Sequence, residues 1–198
     1  MAYFRRRSDK RIKMKPFSGI LILSLTAALS ATAQNNSIWI SRNADISLFS
    51  SAPIENIDAK STQGVSAINP RTRDVYFKVL ITTFQFRNSL MQEHFNEDFM
   101  ESDKYPYAEF RGKIQDSTDL EKDGTYSVTV KGTLSIHNVS KVYTVQGKID
   151  VSGGKITVHS RFDVRLADHH ITIPKLVVQN IAEVIQVTID ASYTASPG

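Results

Sequence analysis

GTYSVTVKGTLSIHNVSKVYTVQGKIDV, residues 124–151, repeats with a period of two. Tyr126, Val128, Val130, Gly132, Leu134 and Ile136 alternate with Ser127, Thr129, Lys131, Thr133 and Ser135. Past His137-Asn138, Tyr143, Val145, Gly147, Ile149 and Val151 alternate with Thr144, Gln146, Lys148 and Asp150. Successive side chains of a strand point to opposite faces, so each half reads as a strand with one apolar face. Lys122-Asp123-Gly124 turns the chain ahead of this run, and Ser152-Gly153-Gly154 is a hairpin signal behind it.

The pattern extends both ways. Downstream, Ile156, Val158, Ser160, Phe162, Val164 and Leu166 stand opposite His159, Arg161, Asp163 and Arg165. A last strand is expected over Ile181 to Tyr193, with Ile185, Val187 and Ile189 on one face. Upstream, Ala108, Phe110, Gly112 and Ile114 alternate with Glu109, Arg111 and Lys113. Ile38 to Ile40 around Trp39, then Ile46, Leu48 and Ser50, read as two strands, with a third over Ile54 to Ala59 ending near Gly64. Asn69 to Asp74 is a turn, and Val75 to Phe86 is expected to be one long strand with Val75, Phe77, Val79 and Ile81 on one face. Its other face holds Leu80, Phe84 and Phe86, so cover on both sides is expected.

Eight or nine antiparallel strands with short turns fit an up-and-down β-barrel of about eight strands, because closure removes exposed edges. A two-sheet sandwich would show the same periodicity. Gly112, Gly132 and Gly147 fall on the inward side, where they suit strong strand coiling. The interior of such a barrel is either filled by side chains or holds one small ligand.

One stretch breaks the alternation. In NSLMQEHFNEDFMESDKYPYAEFRG, residues 88–112, Met91, Phe95 and Phe99 recur every four residues beside Leu90 and His94. That spacing predicts a short amphipathic helix, capped by Asn88 or Ser89, with Glu93, Glu97 and Asp98 on its polar side. Tyr105-Pro106 stops it. Leu90, Met91, Phe95 and Phe99 form the face expected to close one end of the barrel, with His94 anchoring that lid.

The chain has 198 residues, enough for one domain and a leader. Arg5, Arg6, Arg7, Lys10, Arg11, Lys13 and Lys15 precede the apolar run Phe17 to Leu29, and Ala31-Thr32-Ala33 follows it. This is the pattern of a secretory signal peptide over 1–33, cleaved after Ala33, with a mature domain over 34–198. Met14 offers an alternative start. The apolar run is short for a membrane span, which takes roughly 20 residues. The net charge of +4 belongs to the leader: without residues 1–15 the chain has 17 basic and 19 acidic residues, a net of −2. Nucleic-acid binding is therefore not expected.

No catalytic, cofactor or metal site is expected. The chain lacks cysteine, a G-x-S-x-G nucleophile turn and a phosphate-cradling glycine loop. His94 with Glu97 and Asp98 has helical metal-pair spacing but no third ligand. Adjacent His169 and His170 cannot both face one site, and a polar loop is expected there.

Asn69-Pro70 before an apolar strand, FQFRNSLMQEHFNEDFMESDKYPYAEFRGKI (84–114), GTLSIHNVSKVYTVQGKI (132–149) and RFDVRLADHHITIPKL (161–176) together resemble the YceI-like family. His137-Asn138-Val139-Ser140 stands where the family usually reads His-Gly-Val-Thr, and asparagine tolerates the same turn. Asp168-His169-His170-Ile171 replaces a common aromatic-glycine pair, which gives that loop its own shape. The resemblance implies a lipocalin-like barrel, secreted or periplasmic, with an elongated pocket for a polyisoprenoid or similar lipid. Phe77, Val79, Phe110, Tyr126, Val128, Leu134, Phe162 and Val164, which alone would read as core, then become pocket lining, joined by Leu90, Met91, Phe95 and Phe99. Burial is worth roughly 25 cal/mol per Å² of apolar surface, so such a ligand needs no polar motif. A homodimer is compatible with this reading. The alternative is a non-catalytic stress-response or structural module whose barrel is filled.

Overall fold

The computed structural model describes residues 38–174 and 181–196. The expected leader and its cleavage site after Ala33 lie outside the described residues. Among the described residues nine strands form: β1 (Ile38–Ser51), β2 (Asn56–Ile68), β3 (Asp74–Leu80), β4 (Gln85–Phe86), β5 (Tyr107–Ile114), β6 (Gly124–Ile136), β7 (Val139–Ser152), β8 (Lys155–Arg165) and β9 (Val184–Ser196). Eight pair antiparallel in the order β1-β9-β8-β7-β6-β5-β3-β2, and β1 pairs with β2 to close the ring. The two-residue β4 joins β2 through Ala59 and Phe86. The architecture is thus a closed barrel, not a sandwich.

The barrel closes with bulges that alternation alone does not show. Residues 38–50 are one strand, not two. Trp39 and Ser41 are buried, then Arg42 and Asn43 are both exposed, and burial resumes at Ala44 and Ile46. One inserted residue has changed the parity of the inward face. The register between β1 and β2 shifts there, at Ala44↔Gly64 and Ile46↔Ser61. The polar third strand accordingly runs on past Gly64 to Ile68 as β2.

Residues 75–86 are likewise not one strand. β3 ends at Leu80, and Ile81–Thr83 form a 3-10 turn that carries the chain inward. Ile81 and Phe84, three residues apart, are both buried, which explains apolar residues on both nominal faces. The turn is fixed by the Ile81 N–H to the Pro106 carbonyl at 2.8 Å and by Thr83 Oγ1 to the Leu80 carbonyl at 2.6 Å. Ser61 Oγ, 2.6 Å from Thr83 Oγ1, adds a bond from β2.

Turn chemistry is as expected elsewhere. His137 (φ 52°) and Asn138 (φ 58°) both adopt the left-handed conformation that a two-residue type I′ hairpin requires. One end of the barrel is sealed by the 115–123 loop. Its Leu120 is fully buried, and its Asp116 accepts from the Thr129 N–H at 2.6 Å while its carbonyl takes Arg73 Nη1 at 2.7 Å. The helical segment and the chain around residues 166–174 lie at the other end, where β3 and β8 finish.

Two of the inward glycines hold the wall together. Gly112 and Gly132 face each other across β5 and β6, and the Phe110 ring lies over them. A Cβ on Gly132 would sit 2.5 Å from Phe110 Cζ and 2.6 Å from the Arg111 carbonyl, whereas one on Gly147 would meet nothing closer than 3.5 Å. Gly132→Ala is therefore expected to lower stability by about 1–3 kcal/mol, through overpacking against backbone. Gly147→Ala should change it little; urea denaturation of both variants checks the contrast.

Candidate functional site

The inward rows of the strands do not meet at the barrel axis. They enclose a cavity of about 200 Å³. Phe77 and Val79 of β3, Phe110 of β5, Val128 and Leu134 of β6, and Phe162 and Val164 of β8 line it, all residues expected from alternation. Ile185, Val187 and Ile189, read as one face of β9, line it too. A second cavity of about 290 Å³ adjoins it at the end where the helix lies. Leu48, Phe95, Met100, Leu166, Ile171 and Ile185 border both, so they form the neck between them.

The helix roofs the second cavity. α1 (Ser89–His94) starts at Asn88, whose side chain accepts from the Leu90 N–H at 2.8 Å, as a capping asparagine should. It then widens into a π-helical turn, Phe95–Phe99, closed by the Met100 N–H to the Phe95 carbonyl at 3.0 Å. Asn96 Nδ2 donates to the Gln92 carbonyl at 2.8 Å within this wider turn. Met91, Phe95 and Phe99 line the cavity below. The Phe95 ring packs edge-on to Phe84 at 5.8 Å and tilted on Phe86 at 4.9 Å.

Two expected lining residues stand elsewhere. Leu90, one residue round the helix from Met91, is 54% exposed and borders neither cavity. Tyr126 has the right parity but sits at the sealed end, its hydroxyl donating to the Lys122 carbonyl at 2.8 Å. His94 is not a buried anchor; it is exposed on the border of the second cavity. Among the described residues no three His, Asp or Glu side chains cluster as metal ligands would.

Other residues do the anchoring. Glu101 Oε2 meets His137 Nε2 at 3.0 Å, Lys104 Nζ meets Glu101 Oε1 at 2.5 Å, and the Tyr105 ring stands on His137 at 4.6 Å. Lys104, then His137, hold the Glu101 carboxyl below its ordinary value. This cluster ties the chain leaving the helix to the β6–β7 hairpin. No motif marks it, since His137 lies 36 residues from Glu101.

The loop expected to be polar holds the most buried histidine. His169 has 0% exposure, at the end of a 3-10 turn, Leu166–His169. Its Nδ1 lies 3.0 Å from the Val139 carbonyl and its Nε2 lies 3.1 Å from the Tyr143 hydroxyl, with the two rings stacked. A carbonyl only accepts, so Nδ1 carries the proton and Nε2 accepts from Tyr143. His170, in the left-handed conformation, points away and is exposed. Polar groups within the inner cavity are also settled internally. Ser66 Oγ gives its proton to the Tyr76 carbonyl at 2.9 Å, so the Tyr193 hydroxyl, 2.8 Å away, donates to Ser66. Burial pushes the Tyr193 phenol up to about 12.

A closed barrel with a hydrocarbon-lined interior and one helical roof is a lipocalin-like architecture. The chain belongs to the YceI-like domain family, whose profile matches residues 41–193. No curated protein matches the chain. Among solved structures it is similar to a polyisoprenoid-binding domain from Saccharophagus degradans, with TM-score 0.69, 15% identity, and coverage of 80% of this chain and 98% of that one. BcnA from Burkholderia cenocepacia gives 0.62, 15%, 75% and 95% by the same measures. The Campylobacter jejuni YceI protein gives 0.59, 17%, 73% and 88%.

Burial holds the pKa of His169 below its ordinary 6.5, against the opposing pull of the Val139 carbonyl and Asp168. The unfolded chain therefore takes up a proton that folded His169 refuses, and stability falls as pH drops below about 6.5. His169→Gln should flatten that part of the profile. Urea midpoints of both proteins between about pH 7.5 and 5 check it.

Proposed function

We propose that this protein is a secreted or periplasmic binding protein that sequesters or carries a polyisoprenoid or similar long-chain amphiphile inside its barrel. The observation that carries this reading is the predominantly apolar lining, which leads from the inner cavity through the Phe95 neck to the space beneath the helix, where Ser50, Glu55 and His94 join the border. The few hydroxyls inside are bonded to protein, so the wall offers mainly hydrocarbon to an occupant. Family membership and the likeness to a polyisoprenoid-binding domain support the same class of ligand. In this reading Phe77, Val79, Phe110, Val128, Leu134, Phe162 and Val164 contact the chain of the ligand, and Met91, Phe95 and Phe99 cover its outer part. The role proposed is binding, since the inner wall is mostly hydrocarbon and its serines, Ser66 and Ser160, donate to backbone carbonyls. The basic start, apolar run and Ala31-Thr32-Ala33 site support export with removal of residues 1–33.

Mass spectrometry of an organic extract of the purified domain should release a long-chain lipid, and the stripped protein should take up a fluorescent polyprenyl alcohol. Val128→Phe, which adds a ring to the inner cavity wall, is expected to weaken that uptake about ten-fold or more, or about 1.4 kcal/mol. Its urea midpoint should stay near that of the parent. No extractable lipid and no uptake would instead favour a filled, structural barrel.

A further inference from the structure

The barrel wall is not hydrogen-bonded over its full height. β7 pairs with β6 along its whole length up to Val139, and β8 pairs with β9 up to Arg165. Between β7 and β8, however, the ladder stops at Gly147↔Ser160. Residues 139–146 and 161–165 therefore face each other across a seam without strand pairing. Ser160 Oγ marks the fork by donating to the Gln146 carbonyl at 2.7 Å. The inner cavity lies directly behind: Val145 and Gly147 on one flank, and Phe162 and Val164 on the other, all line it.

The 166–171 segment packs on β7 and β8 at this seam. Its Leu166 and Ile171 also line the inner cavity. It is bonded to itself through the Ile171 N–H and the Leu166 carbonyl at 3.1 Å, and to the start of β9 through the Leu166 N–H and the Glu183 carbonyl at 2.9 Å. Its hydrogen bonds to β7, among the described residues, are the two made by the His169 ring. The helical roof is held to the barrel by other groups, the packed rings of Phe84, Phe86 and Phe95 and the Glu101–His137 pair. Leu166 and Ile171 also pack beside Ile81, Met100 and Phe95, and Tyr143 meets Phe162 across the seam at 6.4 Å. Opening the seam parts these apolar contacts together with the His169 bonds but leaves the Glu101–His137 pair in place.

We propose that the seam between β7 and β8 is a lateral port through which the lipid passes, and that residues 166–171 are its flap, latched to β7 by His169. This rests on the lipid-binding reading above. Unlatching exposes the flank of the inner cavity, so a long chain can slide in sideways instead of threading the Phe95 neck. His169 is then a positioning residue: it governs exchange, not affinity.

The chain has no cysteine, so an introduced pair is unique. Thr144 and Asp163 are exposed and stand where the ladder would continue across the seam. Thr144→Cys with Asp163→Cys, joined by a bis-maleimide, closes the port covalently. Stopped-flow with a fluorescent polyprenyl alcohol should then show uptake and release both slowed about ten-fold or more, with Kd little changed. His169→Ala should speed both by a similar factor, and the stapled protein keeps the test valid if that variant folds poorly. Binding by the parent protein with unchanged rates after stapling overturns the port and leaves lipid binding intact. Absence of binding by the parent protein overturns the lipid-binding reading itself, and the port with it.

Discussion

Closure of the sheet is the constraint on which the other features depend. Once β1 pairs with β2, every second side chain must point into a tube of fixed width. Valine, isoleucine and leucine at most of those positions coat the wall without reaching the axis. The exceptions are placed with care. Phe110 fits only because Gly112 and Gly132 have no side chains beneath its ring, and the Tyr193 hydroxyl is tolerated only because Ser66 takes its proton and passes its own to a carbonyl. The void is therefore a result of side-chain size under a closed geometry, not of missing packing.

The two ends of the tube are closed by different means. The 115–123 loop is joined to β6 by a backbone bond, Gln115 N–H to the Thr129 carbonyl at 2.8 Å, reinforced by the Asp116 carboxylate on the Thr129 N–H. It buries Leu120 completely, as a permanent seal would. The opposite end is covered by segments held largely through side chains, among them Glu101 on His137 and His169 on Tyr143. A side-chain bond can break without unravelling a strand, so opening motions belong at that end.

Much of this was legible in the sequence, because alternation and turn chemistry are local. The inward rows of β5 to β9 follow from parity alone, and the Asn88 cap and His137-Asn138 turn follow from residue type. Parity failed where the chain inserts a residue, at Arg42-Asn43, and where Ile81 and Phe84 sit three apart in what reads as a continuous strand. His169 was missed for another reason. Its burial depends on Tyr143 and the Val139 carbonyl, 26 and 30 residues away, and no local pattern encodes such partners. Leu90 and Tyr126 were of the right type, but one lies just off the covered helix face and the other beyond the cavity floor.

The widened turn at Phe95–Phe99 also settles an angular problem. With about 3.6 residues per turn, each step of four along an α-helix overshoots by about 40°. Met91, Phe95 and Phe99 would thus spiral off their common face. A turn closed from i to i+5 winds more slowly, so the second step swings back where the first swung forward. The three side chains point the same way because the helix changes gauge between them. A regular helix with this spacing would have fanned the three side chains over about 80° of its surface.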